Sequence, residues 1–465
     1  MVEWEISRLF STYGMCTAQK VIADPAMVKY AKTAKRAFCR LVMTLLDRTT
    51  TPILDSLSGM GTSVNQVAIL RISSLVAASF LVHLWALTAS KLFPDAISFG
   101  DLSLYDYWAY QVENGTGVYG LATDWVYPAL AFIPIWIAGA INLVSYEISW
   151  LVLVFALNTA AVLLMVRPAT NGNLWSGTYA SWTFISALLL LGPVAVSRID
   201  SVSASLAIFG LVAINRNSTG IAAAFFTIAG WIKIWPIALF AALVTAFKEK
   251  IQVVVVATLI SASIIGIGLL AGGTKVFSFI TQQQDRGIQI ESVMATPWMW
   301  LAKFGSASIF FDDVVLTNQV SGPLVEELAS VSNYILFAAL AITAFLAVRA
   351  VRAGRDRNQV FVLAGLTGVL DLIVFNKVGS PQFMIWVAVA LVALVYFGVQ
   401  KSIVALAMGA AILLLTQFVY PIFYVELLGL QVFPLGLLTL RNILLVALLV
   451  WANIQLSKKA DIATS

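Results

Sequence analysis

The sequence is a succession of apolar runs divided by short polar breaks. The first spans about Val67–Ser90, and others follow at 148–167, 179–197, 201–215, 218–232, 234–247, 251–272, 331–351, 358–375, 382–399, 402–420 and 433–455. A hydrocarbon core about 30 Å thick takes roughly 20 apolar residues per helix. Backbone inside it must satisfy its own hydrogen bonds, which leaves helices or closed barrels. Continuous rather than alternating runs of Leu, Ala, Val and Ile favour helices. Composition agrees, with 60% hydrophobic and 11% charged residues, against about 25% charged in soluble domains. The expected fold class is an all-α polytopic membrane protein of about 11–13 transmembrane helices with external loop helices.

Positive charge supplies an orientation. Arg167, Arg216, Lys248 with Lys250, the cluster Arg349 to Arg357, Lys401 and Lys458 with Lys459 all flank apolar runs, and no Lys or Arg occurs from Leu92 to Val166. By the positive-inside rule the bases are cytoplasmic and the stretch 91–147 is external. The segment "YPALAFIPIWIAGAINLV" within it is expected to be a half-inserted or interfacial helix, because a full crossing would place Arg167 outside. The other external pieces are 198–200, 273–330, 376–381 and 421–432. Residues 1–65 read as a cytoplasmic or membrane-surface segment with a basic amphipathic stretch, 66–455 as the transmembrane domain, and 456–465 as a short cytoplasmic tail.

Several chemistries are excluded. Cys16 and Cys39 both precede the first span and form neither a disulfide framework nor a zinc site. The single histidine, His83, lies mid-span; it reads as a helix-packing residue and leaves no room for a His-based metal site or a Ser-His-Asp triad. The net charge of +5 sits where helices leave the membrane and is no nucleic-acid signal.

The unusual polar residues gather at four external corners: the acidic loop after the first span with Asp101, Tyr105 and Asp124; "SRIDS" with Arg198 and Asp200; "DRGIQIES" with Arg286, Gln289 and Glu291; and "NKVGSPQ" with Lys377 and Gln382. Lys233 in "GWIKIWP" and Arg441, a few residues into the last span, add cations at similar depth. Ionisable residues at membrane depth are costly and face a cavity or a partner. Cations there can hold a phosphate, and a carboxylate can take a proton from a hydroxyl. Together they fit a phosphorylated lipid whose head group lies in the outer leaflet.

An acidic residue in the first external loop, a "YP" after it, an Arg-x-Asp at the next external turn and a late "K…SPQ" resemble the GT-C superfamily of integral-membrane glycosyltransferases. The pattern over about 67–455 is most similar to glycosyltransferase family 87, the actinobacterial polyprenol-phosphomannose-dependent α-mannosyltransferases. Some members carry a histidine in a later external loop; this chain has none there. The resemblance implies an enzyme of the plasma membrane with its site facing outward. It would move a sugar, mannose or else arabinofuranose, from a polyprenyl-phosphate donor to a hydroxyl of an envelope glycolipid or glycan. Asp101 is then the general base of an inverting displacement. Arg286, Lys377, Arg441 and Lys233 are candidates to hold the donor phosphate, and Arg198, Asp200, Tyr105, Asp124, Gln289, Glu291 and Gln382 to position sugar or acceptor. No metal or other cofactor is expected, and no nucleic-acid partner.

Plainer readings stand beside these. Asp101 is also a plausible N-cap of a helix starting at "DLSLYDYWAYQ"; Arg198 and Asp200 also fit a pair closed across a turn. Lys233 and Arg441 also fit snorkelling, Lys377 and Gln382 fit interfacial residues, and Asp124 fits an ordinary loop. The rival from another functional class is a lipid-linked-sugar transporter, which would place polar residues near the midplane in repeated, broken helices.

Overall fold

Helix length sorts the structure into two classes. The computed structural model describes residues 62–92, 99–115, 117–141, 143–166, 174–282, 286–313 and 315–458; the basic segment 1–61, both cysteines and most of the tail lie outside them. The helices are α1 Thr62–Leu92, α2 Gly100–Glu113, α3 Phe132–Ile141, α4 Tyr146–Val166, α5 Leu174–Leu191, α6 Ile199–Asn215, α7 Thr219–Ile232, α8 Ile237–Ala246, α9 Lys250–Leu270, α10 Thr296–Lys303, α11 Val325–Arg352, α12 Arg357–Val374, α13 Met384–Tyr396, α14 Ile403–Gln417 and α15 Val432–Ser457. Among the described residues, seven helices are long and apolar enough to cross a membrane: 66–92, 146–166, 250–270, 325–352, 357–374, 403–422 and 432–457. Five of the expected spans, at 179–197, 201–215, 218–232, 234–247 and 382–399, are instead apolar helices of 10–17 residues. The helix in "YPALAFIPIWIAGAINLV" covers only Phe132–Ile141, about 15 Å at 1.5 Å per residue.

Several of the shorter helices are interior. In α6 every residue from Ile199 to Ile214 is buried, and α13 is nearly as enclosed. By contrast, only 11% of the apolar stretch of α9 is covered, and Leu259, Ile267 and Leu270 project outward. So much exposed apolar surface has no stable home in water, and the protein is membrane-embedded. A helix enclosed by protein need not reach both faces of a bilayer, because its irregular ends are buried in protein rather than lipid. Enclosure by protein and contact with lipid leave the same apolar signature in the sequence, so these shorter interior helices read like the long ones.

α6 packs between α4 and α7, α13 against α5, α8 against α12, and α12 and α14 against α15. Small residues on α6 allow close approach; a side chain added at Gly210 would enter the ring of Phe226 on α7. Between α14 and α15, and between α10 and α11, lie short loops and turns, and one exception to an all-helical chain. Strands β1 Ser308–Asp312 and β2 Thr317–Ser321 form an antiparallel hairpin, with Ser308 opposite Ser321 and Asp312 opposite Thr317.

The two ends of the bundle differ in chemistry. At one end, arginines close the last turns of helices, whose carbonyls have no intrahelical partner. Arg216 donates to the Leu164 carbonyl at 3.3 Å and Arg357 to Ala246 at 2.9 Å. Arg355 donates to Gln455 and Leu456, both at 2.9 Å, and Arg349 to Ser457 at 3.1 Å. The antiparallel run of the helices carries the residues of the four polar corners to the other end.

Between the ends, polar groups bond to one another. His83 Nδ1 donates to the Ser79 carbonyl at 2.8 Å, and its Nε2 accepts from Asn158 Nδ2 at 3.2 Å. Asn158 Oδ1 accepts from Ser205 at 2.6 Å, so one amide ties α1, α4 and α6 together. Thr343 on α11 donates to Asp371 on α12 at 2.6 Å. His83 and Asp371 are thus packing residues. Interhelical hydrogen bonds in membrane bundles are worth about 0.6 kcal/mol each on average. Asn158→Ala is therefore expected to cost about 1–2 kcal/mol, read as a lower melting temperature of the detergent-solubilised protein; an unchanged melting temperature would remove this network from the account of stability.

Candidate active site

The site is built where interior helices stop. Arg198 is the residue before α6, with extended backbone at φ −118° and ψ 152°, and Asp200 lies in the first turn of that helix. The extended backbone sends the two side chains apart, so they do not pair with each other. Three braces hold this helix start. Trp150 Nε1 donates to the Val196 carbonyl at 2.9 Å. The first free amide of α6, Ile199 N–H, donates to the Tyr105 hydroxyl at 3.2 Å, and Trp235 Nε1 donates to Ser203 at 2.9 Å.

Each ion finds its partner on another element. Asp101 stands in the first turn of α2, but Phe99 occupies the N-cap position and no side chain caps the helix. Its carboxylate instead forms an ion pair with Arg198 Nη1, which sets aside the capping reading. Arg198 Nη2 donates to the Tyr420 hydroxyl at 3.2 Å. Asp200 is fully buried; Trp386 Nε1 donates to its Oδ1 at 2.7 Å, and Lys233 Nζ, at the end of α7, lies 3.6 Å from its Oδ2. Lys233 also sits over the Tyr127 ring at 4.5 Å, a cation–π contact, so it is enclosed and does not snorkel. Burial and the charge of Asp200 push the Tyr127 hydroxyl up to about 12, keeping it a neutral phenol. Arg286 lies within electrostatic reach of both Lys233 and Tyr127.

A second layer holds the loop that carries Arg286. Gln289 N–H donates to the Lys377 carbonyl at 2.9 Å, and its side-chain oxygen accepts from Gly379 N–H at 3.2 Å. Gly379 presses against the backbone of Ser292 so closely that any side chain there would collide with the Ser292 nitrogen. On the far side, Arg441 Nη1 bonds Glu291 Oε2 at 3.2 Å, Nη2 bonds the Glu291 carbonyl, and Nε bonds Asn442 Oδ1 at 3.0 Å. Asn442 continues to the Ser292 carbonyl at 3.3 Å and to Thr296 at 2.8 Å. Burial pushes the Glu291 carboxyl up and the Arg441 charge draws it back.

This geometry gives five of the candidates a structural task of their own. Arg441 is 1% exposed and each of its guanidinium nitrogens is engaged, so it is a strut for the 286–292 loop, with Glu291 as its partner. Tyr105 is fully buried against Trp108 and Trp150 and props the start of α6. Asp124 pairs at 3.1 Å with Lys275, both half-exposed, a surface contact worth about 0–1 kcal/mol. Gln289 is a buried loop anchor. Lys377 is buried next to it, and Gln382 is half-buried in the turn Pro381–Phe383, beside the Phe383 ring that lies 6.0 Å from Lys233.

Tyr127, Tyr420, Trp386, Asn442 and Gly379 also belong to the site. The sequence held a signal for two of them: Tyr127 is the tyrosine of the "YP" after the acidic loop, and Asn442 follows Arg441 in an apolar run, where two adjacent polar residues need partners. Trp386 and Tyr420 look like any interfacial aromatic.

Within the cluster, among the described residues, four cations (Arg198, Lys233, Arg286 and Arg441) stand with three carboxylates (Asp101, Asp200 and Glu291), a surplus of one positive charge, and Lys377 joins through its backbone carbonyl. Asp101 is the most exposed of the ion-paired groups of the cluster, at 32% of its side chain against 7% for Arg198, 1% for Asp200 and 13% for Lys233. The arrangement can bind an anion inside and present one carboxylate at the rim.

Removing one member of a buried pair costs about 3–5 kcal/mol because it strands the other charge. Arg441→Met is expected to lower stability by that amount, with Glu291→Gln in the same chain restoring part of it; thermal unfolding of the single and double variants measures this, and a double variant less stable than Arg441→Met would refute the strut. No family model, no curated protein and no solved structure matches this chain.

Proposed function

We propose that the protein is a membrane glycosyltransferase that moves a sugar from a polyprenyl-phosphate donor to a hydroxyl of an envelope glycolipid or glycan. One observation carries the reading: a single exposed carboxylate, Asp101, stands at the rim of a buried cluster with surplus positive charge. In the displacement, the acceptor oxygen attacks the anomeric carbon, its proton passes to Asp101, and the bond from carbon to phosphate oxygen breaks. The leaving phosphate gains one negative charge, which preorganised cations stabilise without rearranging water. Arg286, Lys233 and Lys377 are the cations assigned to it. Mannose is the preferred sugar on the family resemblance, with arabinofuranose as the alternative.

Two further features support a lipid donor acting at the outer face. The arginines that close helix ends lie at the opposite end of the bundle, which the positive-inside rule makes cytoplasmic. An open apolar groove of about 400 Å³, lined by Phe240, Val254, Ala257, Thr258, Ser261 and Ile265, runs along the outward side of α8 and α9. Trp231, two residues before Lys233, donates to Ser261 on its wall at 2.9 Å, so a prenyl chain lying there would bring its phosphate towards the cations. A transporter would require polar groups to line a route through the bundle. The mid-bundle polar residues His83, Asn158, Thr343 and Asp371 are instead bonded to neighbouring helices.

General-base removal typically costs 10²–10⁴-fold in rate. Asp101→Asn is expected to remain folded and to lose about that factor in transfer from labelled polyprenyl-phosphate mannose to membrane glycolipid. Turnover at the wild-type rate would take Asp101 out of the mechanism.

A further inference from the structure

Arg198 is held rigidly but is incompletely satisfied. Its backbone is fixed between the Trp150 and Tyr105 hydrogen bonds at the start of α6. Its Nη1 faces Asp101 and its Nη2 the Tyr420 hydroxyl, while its Nε is buried with no hydrogen-bond partner among the described residues. A guanidinium offers five N–H donors in a fixed fork, suited to two oxygens of one oxyanion. Asp101 occupies one arm of that fork with one oxygen, and a buried donor left open is costly. Asp101 is the movable partner, since a turn of its short, one-third exposed side chain is enough to release Arg198.

We propose that Arg198 is the shared counter-ion of the reaction: it pairs with Asp101 before transfer and with the donor phosphate as the phosphate leaves. The inference rests on the glycosyltransferase reading and adds a role for Arg198, which that reading leaves to sugar positioning. The charge balance gives the reason. At the start Asp101 is anionic and the phosphodiester of the donor carries one negative charge. As the carbon–phosphate oxygen bond breaks, the acceptor proton moves to Asp101 and neutralises it, while the phosphate becomes a monoester with its extra charge. The negative charge that Arg198 faces therefore disappears on Asp101 and appears on phosphate in one step. A cation able to serve both, with an open Nε–H for a further oxygen, stabilises the transition state more than either ground state. The Lys233 and Arg286 charges nearby set the side from which phosphate approaches.

The test is equilibrium binding of farnesyl phosphate, a short prenyl monoester like the product, to detergent-solubilised protein. Asp101→Asn, which frees Arg198, is expected to bind about tenfold tighter than wild type, the scale of coupling between close charges. Arg198→Gln is expected to bind about tenfold weaker, and in the Asp101→Asn, Arg198→Gln double variant the gain from Asp101→Asn should vanish. Should Arg198→Gln not fold, Arg198→Lys serves in its place: a point charge without the fork weakens binding and shrinks the gain. Wild-type binding without tightening in Asp101→Asn overturns the shared counter-ion and leaves the donor reading standing. A gain that persists without Arg198 does the same, because it would reflect long-range charge alone. No binding by any form removes both.

Discussion

A charge inside an apolar bundle must be answered by an opposite one. Moving an ion out of water costs several kcal/mol even after relaxation, and in the polar cluster each answering charge stands on another element. Asp101 joins α2 to the start of α6, Asp200 joins that start to the end of α7, and Glu291 joins the 286–292 loop to α15. Each pair roughly offsets its own desolvation and so adds little net stability. What it adds is register, since sliding any one helix end would strand an ion. The ends of α6, α7 and α15 therefore meet in one place.

The pairs differ in how far they are enclosed, and enclosure separates support from chemistry. Arg441 and Glu291 lie deepest and are saturated by each other and by Asn442. Asp200 is equally buried, but its Oδ2 has Lys233 at 3.6 Å and no hydrogen bond among the described residues. Arg198 carries an open donor, and Asp101 reaches the surface. Side-chain exposure rises from 2% at Arg441 to 32% at Asp101, and open hydrogen-bonding atoms on Asp200 and Arg198 lie along this gradient. A site intended to admit a ligand needs such open groups, because a polar group already fully bonded gains nothing from a newcomer.

Much of this was legible in the sequence and the rest was hidden for definite reasons. Apolar runs announced the helices, and arginines at 216, 349 and 355 announced one end of the bundle, because both follow from transfer free energy along the chain. The four polar corners were legible because every ion in an apolar setting needs a reason. Pairing was not. Arg198 and Asp200, two residues apart, look like partners until the extended backbone at Arg198 separates them. Asp101 fits an N-cap until Phe99 is seen to hold that position. Span length was hidden too, since α6 carries a long apolar run although protein, and not lipid, encloses it. The hairpin at Ser308–Ser321 escaped notice because two five-residue strands carry no period long enough to read.

The gradient also bears on the order of events in the proposed transfer. The surplus positive charge lies behind Asp101, so the negative head of a lipid donor is drawn inward past the carboxylate, and the acceptor hydroxyl arrives last, from the rim. Before that, Asp101 is engaged by Arg198. With phosphate in place, the fork has a second oxyanion to serve and its hold on Asp101 loosens. Asp101, one-third exposed at the rim, is then the carboxylate of the cluster placed to accept a proton. A base that is restrained until the leaving group is seated keeps the chemistry from starting on an incomplete complex, and in this proposal one arginine, held between Asp101 and the Tyr420 hydroxyl, does so.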